Sequence, residues 1–296
     1  MSSAASPHTR RFQLLDVGIE LSSSDPSHFS LVDRLFGAQE FRPDGRAPEI
    51  HARFDGGPSP SAGGFEEPDP GPIHVGTSGD APLEVAEWTF RACLGRSSGF
   101  HIVHAGALVR AGQGVLLVGP PFAGKTTLTL ALCQEGFEYF SDDVGPLDRG
   151  GLLHPFRRLA GVRLTEGRRD YVAPNPGAAL SVVPPACPVA WIFLLEAPFP
   201  IASSAPAKTR GGAVEAAVKP LSVSDAALEV LRHTLNRASR EELRERHGLH
   251  PHLQMLTELL DIAAKARCFR LRAGEPASTA RMLRRLVDTG APSPQD

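Results

Sequence analysis

The sequence predicts an α/β fold, with a large mixed-sheet domain over residues 99–290 behind a small α+β module over residues 1–98. Three observations carry this. Strand-like runs are interleaved with helical ones from Phe100 onward, which points to an α/β core with some antiparallel pairing. A glycine-rich run stands between an apolar strand and a helix. A boundary falls near Arg96–Gly99 (RSSG), where the pattern of the first third stops.

Taken in order, Phe12–Leu21 (FQLLDVGIEL) and Glu49–Phe54 (EIHARF) alternate as half-buried strands, with Ile73–Val75 as a third. Pro26–Phe36 reads as a helix behind Ser24 or Asp25 as N-cap. Ala81–Leu94 carries Leu83, Ala86, Phe90 and Leu94 at helical spacing and ends at Gly95. Gly56–Pro72 is so rich in Gly and Pro that a mobile surface loop is expected there. This module is expected to dock a substrate or to regulate.

In the second domain, His101–Arg110 and Gly114–Val118 flank Ala111-Gly112-Gln113 as an antiparallel hairpin. A turn centred between Gly112 and Gln113 sets His104 opposite Pro121. A helix from Lys125 to Glu135 closed by Gly136 follows, and then a strand Phe137–Asp143. Later come a strand Val189–Leu195, helices at Asp225–Leu235 and Leu249–Ala266, a strand Cys268–Leu271 and a helix Ala277–Val287. Residues 291–296 are expected to be a disordered tail. Trp88 and Trp191 read as core.

Composition excludes several classes. The 296 residues carry a formal net charge of −2, which gives no global reason to expect nucleic acid or a membrane surface as partner. The longest apolar stretch, Val189–Ala202, is too short to cross a bilayer. The first residues have no apolar signal region. Cys93, Cys133, Cys187 and Cys268 are widely spaced, so reduced core thiols are expected rather than disulfides or zinc. A cytoplasmic location is the expectation, and a homo-oligomer is left open.

Gly119–Thr126 (GPPFAGKT) fits G-x-x-x-x-G-K-[ST] and lies where that pattern requires, after an apolar strand and opening a helix. Gly119 and Gly124 allow the tight backbone whose N–H groups converge on phosphate, with Pro120, Pro121, Phe122 and Ala123 between them and Thr127 beyond. Lys125 offers a cation to the β/γ-phosphates, and the Thr126 hydroxyl offers an oxygen to Mg²⁺. ATP and Mg²⁺ are the expected ligands.

Asp142 and Asp143 end the strand after that helix. If that strand lies beside the loop's strand, its end opens into the same crevice. Neighbouring strand residues point to opposite faces, so one acid can hold Mg²⁺ while the other faces an incoming hydroxyl; a loop-capping pair is the plainer reading. His104 is either a partner that orients one carboxylate or a hydrogen-bonded strand histidine. Arg157 and Arg158 reach phosphate or an acidic substrate, or form a surface pair. The histidines 247, 250 and 252 read as a loop, and the arginines of 232–246, interleaved with glutamates, as a solvated helical face.

The run Ile102–Val144, with its strand histidine, hairpin, glycine loop, helix and terminal Asp-Asp, resembles HPr kinase/phosphorylase and the HPr-kinase-related proteins of peptide-modification gene clusters. The resemblance implies a P-loop core of the HPr kinase / phosphoenolpyruvate carboxykinase type. It further implies that Lys125 and Thr126 bind ATP and Mg²⁺, that Asp143 holds the metal, that Asp142 is the base toward a serine hydroxyl, and that His104 sits against Asp142. Pro120-Pro121-Phe122 stand where the family carries small residues, and Arg158–Val162 is at most a remnant of its RGLGI signature, which favours the related kinases acting on a peptide or small carrier protein. The alternatives are an ATP-binding scaffold or regulatory subunit without transfer, and a free-serine kinase. A GTPase switch fits Asp142–Gly145 (DDVG) but lacks an N-K-x-D element.

Overall fold

The computed structural model describes residues 8–36, 48, 50–56, 73–75, 81–156, 158–163, 169–174, 184–196, 215–236 and 251–290. The loop expected over 56–72 (apart from Gly56 and 73–75 at its border), Arg157, histidines 247 and 250, most of the arginine-rich face and the tail 291–296 lie outside the described residues. The chain divides into two compact units, Met1–Phe100 and His101–Asp296.

The first unit holds β1 (His8–Leu14), β2 (Val17–Ser23), α1 (Ser30–Phe36), β3 (Ile50–Gly56), β4 (Ile73–Val75) and α2 (Ala81–Arg96). Its sheet runs β1-β2-β3-β4, antiparallel at β1–β2 and parallel thereafter. The segment Phe12–Leu21 is not one strand. It turns at Leu15, whose φ is 57°, and Leu14 pairs with Val17. The buried positions show why: they run Phe12, Leu14, then Val17, Ile19, Leu21, so the period of two slips by one residue at the turn. The helix expected over Pro26–Phe36 begins as a 3-10 turn, Pro26–Phe29, with the Asp25 side chain accepting from the Ser27 amide.

The second unit contains β5 (Phe100–Val103), β6 (Ala105–Arg110), β7 (Gln113–Val118), α3 (Lys125–Gln134), β8 (Glu138–Ser141), β9 (Gly145–Asp148), β10 (Leu152–Leu153), β11 (Ala160–Arg163), β12 (Arg169–Val172), β13 (Cys187–Leu195), β14 (Ala217–Pro220), α4 (Val223–Arg232), α5 (Pro251–Lys265), β15 (Arg267–Arg272) and α6 (Pro276–Thr289). Among the described residues its main sheet has nine strands, ordered β5-β9-β10-β13-β7-β6-β8, with β15 also beside β13 and β14 beside β15. β13 is parallel to β7 and to β15, whereas β6 is antiparallel to both β7 and β8. β11 and β12 form a separate antiparallel pair. The fold class is therefore mixed α/β.

Alternation along the central strands builds two cores. Leu116, Val118, Ile192 and Leu194 pack with Val230, Met255 and Leu259 of α4 and α5. Val115, Leu117, Trp191 and Phe193 pack with Leu128 and Leu132 of α3 and Leu283 and Leu286 of α6. Helices thus cover both faces of the sheet, as fully apolar strands require. None of the described helices is long and apolar enough to cross a membrane.

Three expectations about this unit are corrected. Arg110 pairs with Gln113 and Ala105 with Val118, so the turn is the two residues Ala111-Gly112, both with positive φ (50° and 72°), and His104 does not face Pro121. Two positive-φ residues match the right-handed strand twist better than a three-residue turn. The run 101–110 also breaks at His104, whose amide donates to the His233 carbonyl at 2.7 Å instead of the ladder. Furthermore, the strand expected over Phe137–Asp143 is β8, which ends at Ser141 just before the aspartates, and it is not next to the loop's strand: β6 lies between β7 and β8.

Candidate active site

The site begins where the buried strand β7 ends and the chain must reverse into α3. A side chain at Gly119 would put its Cβ 3.1 Å from both Leu195 Cβ and the Leu195 carbonyl oxygen, so it would press on β13 where glycine does not. Gly124 caps the helix at φ 88°, a left-handed conformation that glycine adopts without cost. Between them Phe122 also has positive φ, 67°, and is 68% exposed. Ala123 is buried and donates its amide to the Pro120 carbonyl.

Lys125 opens α3 and is almost wholly buried. Its Nζ donates to the carbonyls of Gly119 at 2.8 Å and Pro120 at 3.0 Å. Burial pushes this ammonium down to about 8, against the opposing pull of Asp143 and Asp142. Its charge is held by its own loop and by two carboxylates.

The two acids leave β8 in different directions because a turn starts at once: the Ser141 hydroxyl accepts the amides of Asp143 and Val144. Asp142 is buried at 2% exposure. Its Oδ2 accepts from the Thr126 hydroxyl at 3.0 Å and the Gly161 amide at 3.1 Å, and its Oδ1 from the Tyr139 hydroxyl at 3.1 Å. Asp143 instead meets His104 Nδ1 at 3.0 Å and Arg158 Nη2 at 2.6 Å. Burial alone would raise the Asp143 carboxyl, but the His104 hydrogen bond and the Arg158 guanidinium outweigh it and hold the group well below the usual carboxylate range. An ionised carboxylate only accepts, so Nδ1 of His104 carries the proton.

A cavity of about 760 Å³ opens over these groups. Asp143, His104, Lys125 and Thr126 line it, together with Phe122 and Glu275 ahead of α6; Asp142 does not. The expected contact of His104 with Asp142 is therefore corrected: the histidine holds Asp143, and Asp142, bonded to Thr126, does not line the cavity. The reason is the turn at Ser141, which sends adjacent carboxylates to opposite sides.

The structure gathers Lys125, Thr126, Asp142, Asp143, His104 and Arg158 into one region, while Pro121, Gly124 and Thr127 line the cavity. His252 on α5 does not line it. The sequence reading missed Tyr139, Gly161, His233 and Glu275. Tyr139 had a signal, since a tyrosine between Phe137 and Phe140 on an expected strand needs a partner for its hydroxyl. The Gly161 amide and the His233 carbonyl had none, being main-chain groups brought in from afar.

Among the described residues no group of three or more His, Cys, Asp or Glu side chains forms a self-sufficient metal site. The Thr126 hydroxyl and Asp142 carboxylate fit a different case. Mg²⁺ takes oxygen ligands and is held by one or two protein groups plus phosphate oxygens and water. This donor set suits it. No protein-family model matches the chain, and no curated protein matches it.

Proposed function

We propose that this protein is an ATP- and Mg²⁺-dependent kinase with a P-loop core, transferring the γ-phosphoryl group to a hydroxyl, serine foremost, of a peptide or small carrier protein. The observation that carries this reading is the division of labour between the acids. Asp142 is bonded to the motif's own Thr126, whereas Asp143, paired with His104, faces the cavity that Lys125 also lines.

Gly119–Thr127 supply amides and the Lys125 ammonium to the phosphates. Thr126 and Asp142 would hold the metal, which would neutralise charge on the phosphates. This reverses the roles that the family resemblance implies for the two acids. Asp143 orients the acceptor hydroxyl and takes its proton as the acceptor oxygen bonds to the γ-phosphorus and the bond to the ADP oxygen breaks. In a loose transition state positioning matters more than basicity, so a carboxylate kept ionised serves. His104 and Arg158 fix that carboxylate from two sides.

A second reading, ATP binding without transfer, is favoured by one feature: the buried Arg158 guanidinium already occupies an Asp143 oxygen at 2.6 Å. One experiment separates the two. Calorimetry with ATP and Mg²⁺ is followed by mass spectrometry of serine-containing peptides encoded beside the gene, after incubation with protein, ATP and Mg²⁺. Binding with a mass gain of one phosphate supports the kinase, binding without it supports the scaffold, and no heat refutes both.

A further inference from the structure

The two neighbouring carboxylates have separate partners, yet one side chain touches the support of both. Tyr139 on β8 is 3% exposed. Its hydroxyl lies 3.1 Å from Asp142 Oδ1 and 3.0 Å from the carbonyl oxygen of Arg158. A phenol has one proton and both neighbours are acceptors, so the proton is shared in a three-centre bond. With Oδ1 held this way, Asp142 presents Oδ2 to Thr126 and to the Gly161 amide. With its carbonyl held, the Arg158 main chain is anchored where its guanidinium reaches Asp143.

We propose that Tyr139 is a positioning residue: its single hydroxyl keeps Asp142 against Thr126 and, through the Arg158 main chain, keeps the guanidinium on Asp143. The inference rests on the kinase reading and deepens it. Packing does not account for the hydroxyl. The ring belongs to the apolar cluster with Leu108, Leu132 and Phe137, where phenylalanine would fill the same space, and a buried hydroxyl costs free energy unless bonded.

The test compares the full chain, Tyr139→Phe and, as a stability control, Leu286→Ala, a buried α6 residue of the same cluster outside the site. Calorimetry measures ATP affinity with and without Mg²⁺. Loss of one buried hydrogen bond to a charged group predicts that Tyr139→Phe lowers the Mg²⁺-dependent gain about tenfold, with Mg²⁺-free affinity unchanged within about twofold. Leu286→Ala keeps the full gain although it unfolds more readily. An unchanged gain in Tyr139→Phe overturns the inference and leaves the kinase reading standing. A parent protein that binds no ATP overturns both.

A second measurement does not depend on the variant folding. The chain has two tyrosines, Tyr139 and Tyr171, so 3-fluorotyrosine labelling yields two ¹⁹F resonances, assigned with Tyr171→Phe. Mg²⁺ with ATP shifts the Tyr139 resonance more than ATP alone. A Tyr139 resonance that Mg²⁺ does not move overturns the proposal.

Discussion

His104 and Asp143 are joined Nδ1 to Oδ1 at 3.0 Å across a strand break, with Arg158 on the other carboxylate oxygen. The Asp143 carboxyl is depressed in the folded chain, so it contributes stability above the ordinary carboxylate range and loses it as pH falls toward the folded value. His104→Ala removes one of the two partners and lifts that value. Urea midpoints measured from neutral pH down to about pH 2, across the range below the ordinary carboxylate value, are expected to fall for both proteins, with the smaller acid-dependent loss in the variant. Equal losses would show that the histidine does not tune this acid.

The aspartates are predicted to fail differently. Asp143→Asn keeps Mg²⁺-ATP affinity within a few-fold and lowers transfer by about 10² or more, the usual scale for a lost proton acceptor. Asp142→Asn instead removes most of the Mg²⁺-dependent part of ATP affinity. Calorimetry and initial rates on both variants check the assignment, and reversed phenotypes would restore the roles that the family resemblance implies.

Lys125 carries two opposite pH dependences. Its amine is lowered to about 8, below its ordinary value near 10.4. Between these values the unfolded chain binds the proton that the folded chain has released, so this residue's contribution to stability rises with pH across that window. Only the ammonium attracts phosphate, so ATP affinity falls as pH passes about 8. Lys125→Ala weakens ATP binding and flattens both trends, as calorimetry and denaturation at pH 7 and 9.5 would register.

Phe122 sits at φ 67° and 68% exposure. A bulky residue in the left-handed region costs about 1–2 kcal/mol. Phe122→Gly is expected to raise the unfolding free energy by about 1 kcal/mol, offset in part by backbone entropy. Equilibrium urea unfolding measures it. A destabilised variant would mean that the ring holds the loop.

Gly106 on β6 faces Thr129 of α3. A Cβ there would clash with the buried Thr129 hydroxyl and press on Leu117. Gly106→Ala should destabilise by about 1–3 kcal/mol and, by displacing α3, weaken ATP binding. A change below about 0.5 kcal/mol, the scale of a surface substitution, would show that the helix yields freely.

Much of the second unit was legible in its sequence. α3 begins at the expected Lys125 and closes before Gly136, whose φ is 87°, because a glycine can end a helix in a conformation other residues resist. β13 and α6 fall within about two residues of their expected ends, since unbroken apolar runs and helical periodicity are strong local signals. Less was legible where neighbours decide. The break at His104 needs the His233 carbonyl, more than a hundred residues away in sequence, and β11 and β12 left no pattern strong enough to predict.

What the sequence determined alone was the cast: a tight glycine-framed reversal after an apolar strand, a lysine and a threonine at its end, and two acids on a later strand. These follow from spacing and backbone preference, which act between near neighbours. Only the tertiary structure decided which acid meets which partner. Strand order puts β6 between β7 and β8, and the Ser141 turn sends Asp142 to Thr126 and Asp143 to His104. Such pairings depend on packing between distant segments, where an ångström settles whether a hydrogen bond forms.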